Sequence, residues 1–321
     1  MQLITDLNQL AKKLNLTLDD ALLRDIKKID QDYPLLVSTS FLAKIERANP
    51  NDPLLKQILP SVLELETVAG YEKDPLHESK ALYTPILLQK YHGRALLIVT
   101  QQCALHCRFC FRRHFFQENI PEPKDEDLQN ALDFIAKDTG ITEVILSGGD
   151  PLLLSLPKLA TLLQKIAVLP HVKRLRIHTR LPIALPEKIT SELASILTAT
   201  RLMPVIVIHC NHAQEIDAAV RSAVHNLRSN GMNVLNQSVL LKDINDSENA
   251  LCDLNERLAD MGVIPYYLHI LDQVAGAAHF AVNQEKARKL HQAMQERLPG
   301  YLVPRLVCEK PGAKCKTPAV P

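Results

Sequence analysis

The spacing of hydrophobic residues divides the chain into two parts. In the first part, the stretch LNQLAKKLNLTLDDALL at residues 7–23 has apolar positions three or four residues apart, which is the period of an α-helix. Proline-bearing loops interrupt this part at residues 49–53 and near Pro75 and Pro85. The pattern therefore predicts a mainly helical N-terminal region over residues 1–90.

The spacing changes from Arg94 onward, where short runs rich in β-branched residues alternate with amphipathic helical stretches. The runs predict strands at residues 95–100, 142–147, 173–178, 204–209, 233–241 and 264–271. The predicted helices include residues 127–137, 157–167, 188–199 and 287–298. After the first gap, the strand centres recur about every 30 residues, which is the length of one βα unit.

Six βα units form either an incomplete barrel or an open, doubly wound sheet, and the periodicity alone does not choose between them. In both architectures the functional groups gather at the carboxyl ends of the strands. We therefore predict an α/β fold whose functional residues directly follow the strands.

The composition excludes several classes of protein. A hydrophobic fraction of 46% in 321 residues supports a buried core and excludes a disordered chain. The 37 basic and 36 acidic residues leave a net charge of +1, so no overall field draws the protein to nucleic acid or to an anionic membrane. No run approaches the ~20 apolar residues that span a bilayer, and the first residues lack the pattern of a secretory signal. The 7 cysteines are too sparse for a disulfide scaffold, and we therefore expect a cytoplasmic protein.

Three of the cysteines, Cys103, Cys107 and Cys110, follow the first predicted strand with the spacing C-x3-C-x2-C. Three thiolates this close leave one position of a tetrahedral or cubane site unfilled. One interpretation is a structural zinc site completed by His106 or His114. A redox disulfide fits less well because it leaves the third cysteine unexplained. The favoured interpretation is a [4Fe–4S] cluster with one iron free to bind a small ligand.

Polar groups also follow the later predicted strands. The second strand ends in Ser-Gly-Gly-Asp-Pro at residues 147–151, whose glycines permit a tight turn with exposed backbone N–H groups. The remaining strand ends carry His178, Thr179 and Arg180, then His209 to His212, then Asn236 and Gln237, and finally Asp272. Each residue alone is weak evidence of function, but together they lie at one predicted edge of the sheet.

The cysteine spacing and the SGGDP loop resemble the radical S-adenosylmethionine (SAM) superfamily. Longer stretches resemble the lysine 2,3-aminomutase family in particular, at residues 90–100, 111–114, 147–151, 236–242 and 265–280. The resemblance runs from about residue 80 to Thr317. Within the family, the short chain and its ending Lys316-Thr317-Pro318 resemble the bacterial branch that makes β-lysine for elongation factor P.

The resemblance implies a fold and a division of the chain. It implies a partial (βα)6 radical SAM barrel over residues 91–300, preceded by the helical region 1–90. A short C-terminal segment over residues 301–321 would carry the lysine that binds pyridoxal phosphate.

The resemblance also implies a role for individual residues. The cluster ligands would be Cys103, Cys107 and Cys110. The residues that match the SAM pocket are Gly148, Gly149, Asp150, His209 and Gln237. The residues that match the pyridoxal phosphate site are Lys316, which forms the Schiff base, and Arg94 and Lys90, which bind the phosphate. The residues that match the substrate site are Arg112 for the carboxylate of lysine, and Asp272 and Glu309 for its distal ammonium group.

The chain departs from the family pattern at two positions near its end. Residues 311–315, Pro-Gly-Ala-Lys-Cys, stand where other members carry a glycine-rich run, so Lys314 and Lys310 are rival candidates for the Schiff-base lysine. Glu309 stands where the family has an aspartate. Its longer arm still reaches an ammonium group.

The resemblance therefore predicts a radical SAM, pyridoxal phosphate-dependent enzyme that converts L-lysine to β-lysine, with a flavodoxin or ferredoxin as electron donor and with the oligomeric state left open. An aminomutase for another amino acid such as glutamate is the first alternative, but Asp272 and Glu309 would repel a side-chain carboxylate. The second alternative is a zinc-stabilised nucleic-acid-binding module that uses Arg112, Arg113 and His114. The balanced charge argues against this module.

Overall fold

The structure is a computed structural model that describes residues 2–17, 29, 32–118 and 122–319. It begins with a small antiparallel sheet of strands β1 (Leu3–Ile4) and β2 (Val37–Ser38). The helix Leu7–Leu14 lies between them and is capped by Asp6, whose carboxylate accepts a hydrogen bond from the N–H of Gln9 at 2.7 Å. This helix confirms the first half of the predicted stretch 7–23, and residues 18–23 of that stretch lie outside the described residues.

The rest of the N-terminal region consists of short elements. Its helices are Thr39–Leu42 and Pro53–Lys56, and its 3-10 helices are Val62–Leu65 and Glu78–Ala81. Strands β3 (Leu82–Thr84) and β4 (Leu87–Leu88) follow and pair antiparallel with each other. Strand β4 also pairs with the first barrel strand, so this region is joined to the main sheet by backbone hydrogen bonds.

The main sheet contains every predicted strand, with bounds close to those predicted. Its further strands are β5 (Arg94–Ile98), β6 (Glu143–Ser147), β7 (Arg174–Thr179), β8 (Pro204–His209), β9 (Asn233–Leu240), β10 (Ile264–Ile270), β11 (Arg305–Cys308) and β12 (Thr317–Pro318). Strands β5 to β11 are parallel, and β12 returns antiparallel to β11. Within the described residues the order is β12-β11-β10-β9-β8-β7-β6-β5-β4-β3.

This strand order decides between the two architectures that the periodicity leaves open. A doubly wound sheet reverses its order part-way, whereas here consecutive parallel strands are always neighbours. Right-handed crossovers then place the helices on one face of the sheet, as in a barrel. Strands β3 and β12 at the two edges do not pair in the part of the chain that the structure describes, so the barrel is partial, as predicted.

The crossover segments are mostly amphipathic helices. The α-helices are Phe115–Glu118, Asp125–Lys137, Leu156–Ala167, Leu181–Ala184, Ser191–Thr198, Ala218–Ser229, Glu248–Asp260 and Gln284–Arg297. The 3-10 helices are Pro151–Leu153, Pro186–Lys188, Ala213–Glu215, Ala278–Phe280 and Gly300–Leu302. None of the helices in the described ranges is long and apolar enough to cross a membrane.

Alternate strand positions face two different environments. On β7, Leu175 and Ile177 are buried, whereas Arg176 and His178, which alternate with them, are only partly buried. The same alternation leaves Gln237 partly buried on β9. Because successive side chains of a strand point to opposite faces, the buried set packs against the helices and the partly buried set, which includes Arg176, His178, His209 and Gln237, lines the barrel interior. The lumen of this open barrel therefore carries polar as well as apolar side chains.

Candidate active site

The three cysteines of the motif lie together in the loop after β5. None of them forms a disulfide. Burial and the neighbouring Cys107 raise the pKa of Cys110 to about 11. Burial, and next the neighbouring Cys110, raise the pKa of Cys103 as well. Because a nearby thiol disfavours ionisation of its neighbour, these shifts indicate that the sulfur atoms lie close together, and three such sulfur atoms fit the donor set of an iron–sulfur cluster.

The two histidines that could complete a zinc site are engaged elsewhere. His106 Nδ1 lies 2.8 Å from the carbonyl oxygen of Pro34, and His114 Nε2 lies 3.1 Å from that of Ala275. Across the described ranges, no group of three or more His, Cys, Asp or Glu side chains is arranged to hold a single metal ion. The zinc interpretation therefore gains no support from the structure.

The two glycines of the SGGDP loop allow it to run against the cysteine loop. A Cβ atom on Gly148, whose φ is +124°, would lie 2.4 Å from the carbonyl oxygen of Thr100. A Cβ atom on Gly149 would lie 2.2 Å from that of Gln102. The N–H of Gly149 donates to the oxygen of Thr100 at 2.7 Å. The prediction that the N–H groups of this turn are exposed is therefore wrong for Gly149, because that N–H joins the two loops.

Asp150 binds the SGGDP loop to the end of β7. Its carboxylate accepts hydrogen bonds from Thr179 Oγ1 at 2.7 and 2.9 Å and from the N–H of Arg180 at 2.7 Å. It also accepts from the N–H of Leu152 at 3.1 Å and so caps the helix Pro151–Leu153. Burial raises the pKa of Asp150 to about 6, although these hydrogen bonds oppose the shift. The side chain thus fixes the loop that faces the cysteines.

His209 and Gln237 are partners in register on β8 and β9, so both predicted residues line the same part of the lumen. The His209 ring stacks on Phe109 of the cysteine loop, with ring centroids 5.7 Å apart, and its Nε2 lies 3.1 Å from Asn211 Nδ2. Burial, and next the charge of Arg180, lower the pKa of His209 to about 3. The ring is therefore neutral at physiological pH. That these two residues and the SGGDP loop bind SAM stays a prediction.

A second group of predicted residues forms a buried chain of alternating charges. Lys316 Nζ lies 2.6 Å from Glu309 Oε2, and Lys90 Nζ lies 3.0 Å from Glu309 Oε1. Lys90 Nζ also lies 2.9 Å from Glu78 Oε1. Arg112 completes the chain through its Nε atom, 2.7 Å from Glu78 Oε2. Although burial acts in the opposite direction, the two ammonium groups hold the pKa of Glu309 well below its usual range.

Among the three candidate lysines near the C-terminus, the environment favours Lys316. Its side chain is partly buried, bonded to Glu309 and 5.7 Å from the centroid of the Tyr267 ring. Lys310 and Lys314 are exposed. Pyridoxal phosphate attached to Lys316 would therefore be the one shielded from water.

Arg94 is separated from this chain of charges. It begins β5, at the opposite end of the strand from the cysteine loop, and its guanidinium carbon lies 5.1 Å from the centroid of the Tyr91 ring. Burial, and next the Glu309 carboxylate, raise the pKa of Tyr91, so this ring stands between Arg94 and Glu309. The phosphate-binding role of Arg94 stays a prediction.

Asp272 follows β10 and differs from the other acids of the site. In the described part of the chain, its carboxylate has no hydrogen bond and no ion pair. Burial, and next the charge of Glu309, raise the pKa of Asp272 to about 7. Lys316 and Lys90 lie near enough to oppose that shift. A partly buried carboxylate without a partner is suited to bind a cationic ligand.

The lumen also holds two neutral histidines. His178 Nε2 is buried and has no hydrogen-bond partner among the described residues. Burial lowers the pKa of His178, and Lys316 and Arg112 act in the same direction, which places the ring near both. Burial, and next Lys316, lower the pKa of His269 to about 3. An unpaired buried nitrogen beside Lys316 fits a lumen built to hold a polar ligand such as pyridoxal phosphate.

Sequence reasoning missed the acids that hold the arginines of the cysteine loop. Glu78 binds Arg112, Glu64 binds Arg108 and Arg113, and each is buried. Both acids belong to the 3-10 helices of the N-terminal region, where no motif marks them. Only their side-chain contacts in the fold identify them.

Comparisons with known proteins agree with this geometry. The Radical SAM superfamily matches residues 97–198, which contain the cysteine loop and the SGGDP loop. A radical SAM methyltransferase from Sphaerobacter thermophilus has a TM-score of 0.50 and 16% identity over 69% of this chain and 68% of its own. SuiB of Streptococcus suis, solved with S-adenosylmethionine, has a TM-score of 0.50 and 16% identity over 68% of this chain and 51% of its own. These two likenesses concern the fold alone, and the protein is of the radical SAM class.

Sequence relatives define the family within that class. The L-lysine 2,3-aminomutase of Escherichia coli is 44% identical over 98% of this chain and 91% of its own length. The L-lysine 2,3-aminomutase of Haemophilus influenzae is 43% identical over 98% of this chain and 92% of its own length. The enzyme of Clostridium subterminale is 33% identical over 99% of this chain but only 76% of its own length. The chain belongs to the L-lysine 2,3-aminomutase family.

Proposed function

We propose that this protein converts L-lysine to β-lysine by moving the amino group from C2 to C3. Membership of the family supports this proposal, and the observation on which it rests is Asp272. This partly buried carboxylate has no partner within the described residues and lies near Lys316 in the lumen. An ammonium group at the end of a substrate side chain would supply the missing charge.

The residues present fit the three groups that such a reaction needs. Cys103, Cys107 and Cys110 would hold a [4Fe–4S] cluster whose remaining iron is free for SAM. Lys316 would hold pyridoxal phosphate. When bound, these groups supply the removal of an unactivated hydrogen and a π-system for the migrating nitrogen.

The side chains of the protein then bind and orient the substrate. Arg112 donates to Glu78 through Nε and Nη2 at 2.7 and 3.0 Å, and to Ser147 Oγ through Nη1 at 3.0 Å. Each terminal nitrogen keeps a second hydrogen, so the guanidinium can bind a carboxylate while Glu78 fixes its plane. With Asp272 at the other end, the carboxylate and the distal ammonium group of lysine would be held, and C3 would be turned toward the cysteine loop.

The same two acids argue against a glutamate aminomutase. A side-chain carboxylate in the lumen would meet Asp272 and Glu309 instead of a cation, and like charges in a buried site repel strongly. Glu309 is already paired with Lys316 and Lys90, so we assign the substrate ammonium group mainly to Asp272.

The test is an anaerobic assay of the reconstituted protein with SAM, pyridoxal phosphate and dithionite. We expect L-lysine to give β-lysine and glutamate to give no product. Borohydride reduction and peptide mapping should place a pyridoxyl label on Lys316. Turnover of glutamate in preference to lysine, or a label on Lys310 or Lys314, would contradict the proposal.

We also propose a cellular setting for this activity. The resemblance to the short bacterial branch supports a role in supplying β-lysine for the modification of elongation factor P in the cytoplasm, with a flavodoxin or ferredoxin as electron donor. The mass of elongation factor P in cells with and without the gene tests this role. An unchanged mass would contradict it without affecting the assay above.

A further inference from the structure

Arg180, the residue after β7, directs its guanidinium group at the cysteine loop. Its Nη1 atom lies 2.7 Å from Cys107 Sγ and donates a hydrogen bond to the sulfur. The Arg180 side chain is only 10% exposed. Across the described ranges, no other arginine side chain donates to a cysteine sulfur. The contact is therefore a buried, charged donor on one of the expected cluster ligands.

Several groups prevent this guanidinium from moving away. Nη2 donates to Gln57 Oε1 at 2.6 Å and to Glu215 Oε2 at 3.0 Å. Glu215 is fully buried and is itself fixed by the N–H groups of Asn211 and His212, at 2.9 and 3.0 Å. A donor held by rigid partners keeps its direction when its target changes charge.

The other arginines near the cysteines have different partners. Arg108 and Arg113 are bonded to Glu64, and Arg112 is bonded to Glu78 and Ser147. Their guanidinium groups thus donate to groups other than the cysteine sulfur atoms. The guanidinium group of Arg180 keeps its positive charge at physiological pH, as arginine does in proteins generally.

We propose that Arg180 is a positioning residue that raises the reduction potential of the cluster bound at Cys107 by donating a hydrogen bond to the cysteine sulfur. This inference rests on the proposed function, because it requires the [4Fe–4S] cluster. Reduction adds one electron from an external low-potential donor and no proton. A fixed positive charge and an N–H donor at the sulfur stabilise the added negative charge, which favours the reduced form.

The test is a redox titration of the reconstituted cluster, followed by electron paramagnetic resonance in the absence of SAM. In Arg180→Gln we expect the equilibrium constant for reduction to fall about tenfold, which corresponds to about 59 mV for a one-electron couple. Arg201→Gln is the matched control. Arg201 is an exposed arginine bonded to the carbonyl groups of Ala167 and Leu169, and its loss should leave the potential unchanged.

A second variant shifts the potential in the opposite direction. Glu215→Gln keeps the shape of the side chain but removes a negative charge beside Arg180, so the potential should rise. A loaded Arg180→Gln cluster with the wild-type potential would overturn the inference. If Arg180→Gln does not assemble a cluster, an unchanged potential in Glu215→Gln overturns it instead. Absence of any iron–sulfur signal in the wild-type protein would contradict the proposed function, and the two failures are thus distinguishable.

Discussion

The two sides of the lumen differ in how their polar groups are paired. We define the cysteine side by Glu64, Arg108, Arg113, Arg180 and Glu215, and the lysine side by Asp272, His178, His269, Glu309 and Lys316. On the cysteine side, Glu64 receives Arg108 Nε and Nη2 at 2.9 and 2.6 Å and Arg113 Nη2 at 2.6 Å. On the lysine side, His178 Nε2 is buried without a partner, and the partly buried Asp272 carboxylate forms no hydrogen bond or ion pair within the described residues. Each charged group of the cysteine side thus has an opposite charge before any ligand binds, and in this sense that side is completed, although Arg113 Nε and Arg180 Nε have no hydrogen-bond partner within the described residues. On the lysine side, Asp272 has no such counter-charge.

Aromatic contacts extend the completed side into the N-terminal region. The guanidinium carbons of Arg108 and Arg113 lie 4.9 and 4.8 Å from the centroid of the Tyr33 ring, and His106 stacks on the same ring at 4.7 Å. Such contacts stabilise a buried arginine beyond its ion pair. The cysteine loop is therefore anchored between the barrel and the N-terminal region, as a rigid cluster site requires.

Unpaired groups on the lysine side carry a cost that a ligand removes. A buried polar group without a hydrogen bond costs ~1–3 kcal/mol, and a charged one costs more. Asp272 lowers this cost by remaining partly protonated near neutral pH, since its pKa is raised to about 7. The cysteine side thus anchors a loop, whereas the lysine side keeps groups unpaired that a substrate can pair.

The largest effect should come from breaking the completed side at Glu64. Glu64→Gln leaves Arg108 and Arg113 buried without a counter-charge, so the free energy of unfolding should fall by ~3–5 kcal/mol. Urea unfolding of the apoprotein measures this change, and the iron content after reconstitution should fall with it. The exposed Glu66→Gln is the matched control and should have the wild-type stability. Equal stability of the two variants would show that the cysteine side is not held by Glu64.

A smaller effect is expected from the lysine side at Asp272. Asp272→Asn removes the charge that would meet the substrate ammonium group, so kcat/KM for lysine should fall by a factor corresponding to ~1.5–3 kcal/mol. Cluster content and pyridoxal phosphate binding should be retained, because the side chain has no bond to break within the described residues. The exposed Asp260→Asn is the control. An unchanged kcat/KM would remove the reason for assigning lysine as substrate.

The pH dependence of lysine turnover sharpens the same contrast. Burial, and next the charge of Glu309, raise the pKa of Asp272 to about 7, so below that pH the folded protein carries mostly the neutral acid. Binding of an ammonium group needs the ionised form, and kcat/KM for lysine should fall by up to about tenfold per pH unit below about 7. In Asp272→Asn this acidic limb should disappear. A limb of equal slope in the variant would assign the titration to another group.

The sequence allows the cysteine loop and the six barrel strands to be predicted because their signals are local. A run rich in β-branched residues, a C-x3-C-x2-C spacing and an SGGDP turn can each be recognised within a few neighbouring residues. Glu64, Glu78, Glu215 and Gln57 have no such signal. Their partners lie 34 residues away for Glu78 and 44 residues away for Glu64, and only the fold brings them together.

The sequence also could not predict which charged side chains pair with each other. The resemblance implies that Asp272 and Glu309 act together on one ammonium group, yet the structure pairs Glu309 with Lys316 and Lys90 and leaves Asp272 alone. Such a difference depends on distances of a few ångström between side chains from separate strands. The spacing of residues along the chain does not reveal these distances.

The smallest effect should come from the point where the two sides meet, at Arg112. Glu78 of the N-terminal region holds one edge of this guanidinium, and Ser147 Oγ, 3.0 Å from Nη1, holds the other. Ser147→Ala removes only the neutral acceptor and leaves both bonds to Glu78. The kcat/KM for lysine should therefore fall by a factor corresponding to ~0.5–1.5 kcal/mol, mainly because KM rises. The exposed Ser195→Ala on the outer helix Ser191–Thr198 should behave as the wild type. A loss in Ser147→Ala as large as in Asp272→Asn would mean that Glu78 does not fix Arg112, and the contrast between a completed side and an open side would not hold there.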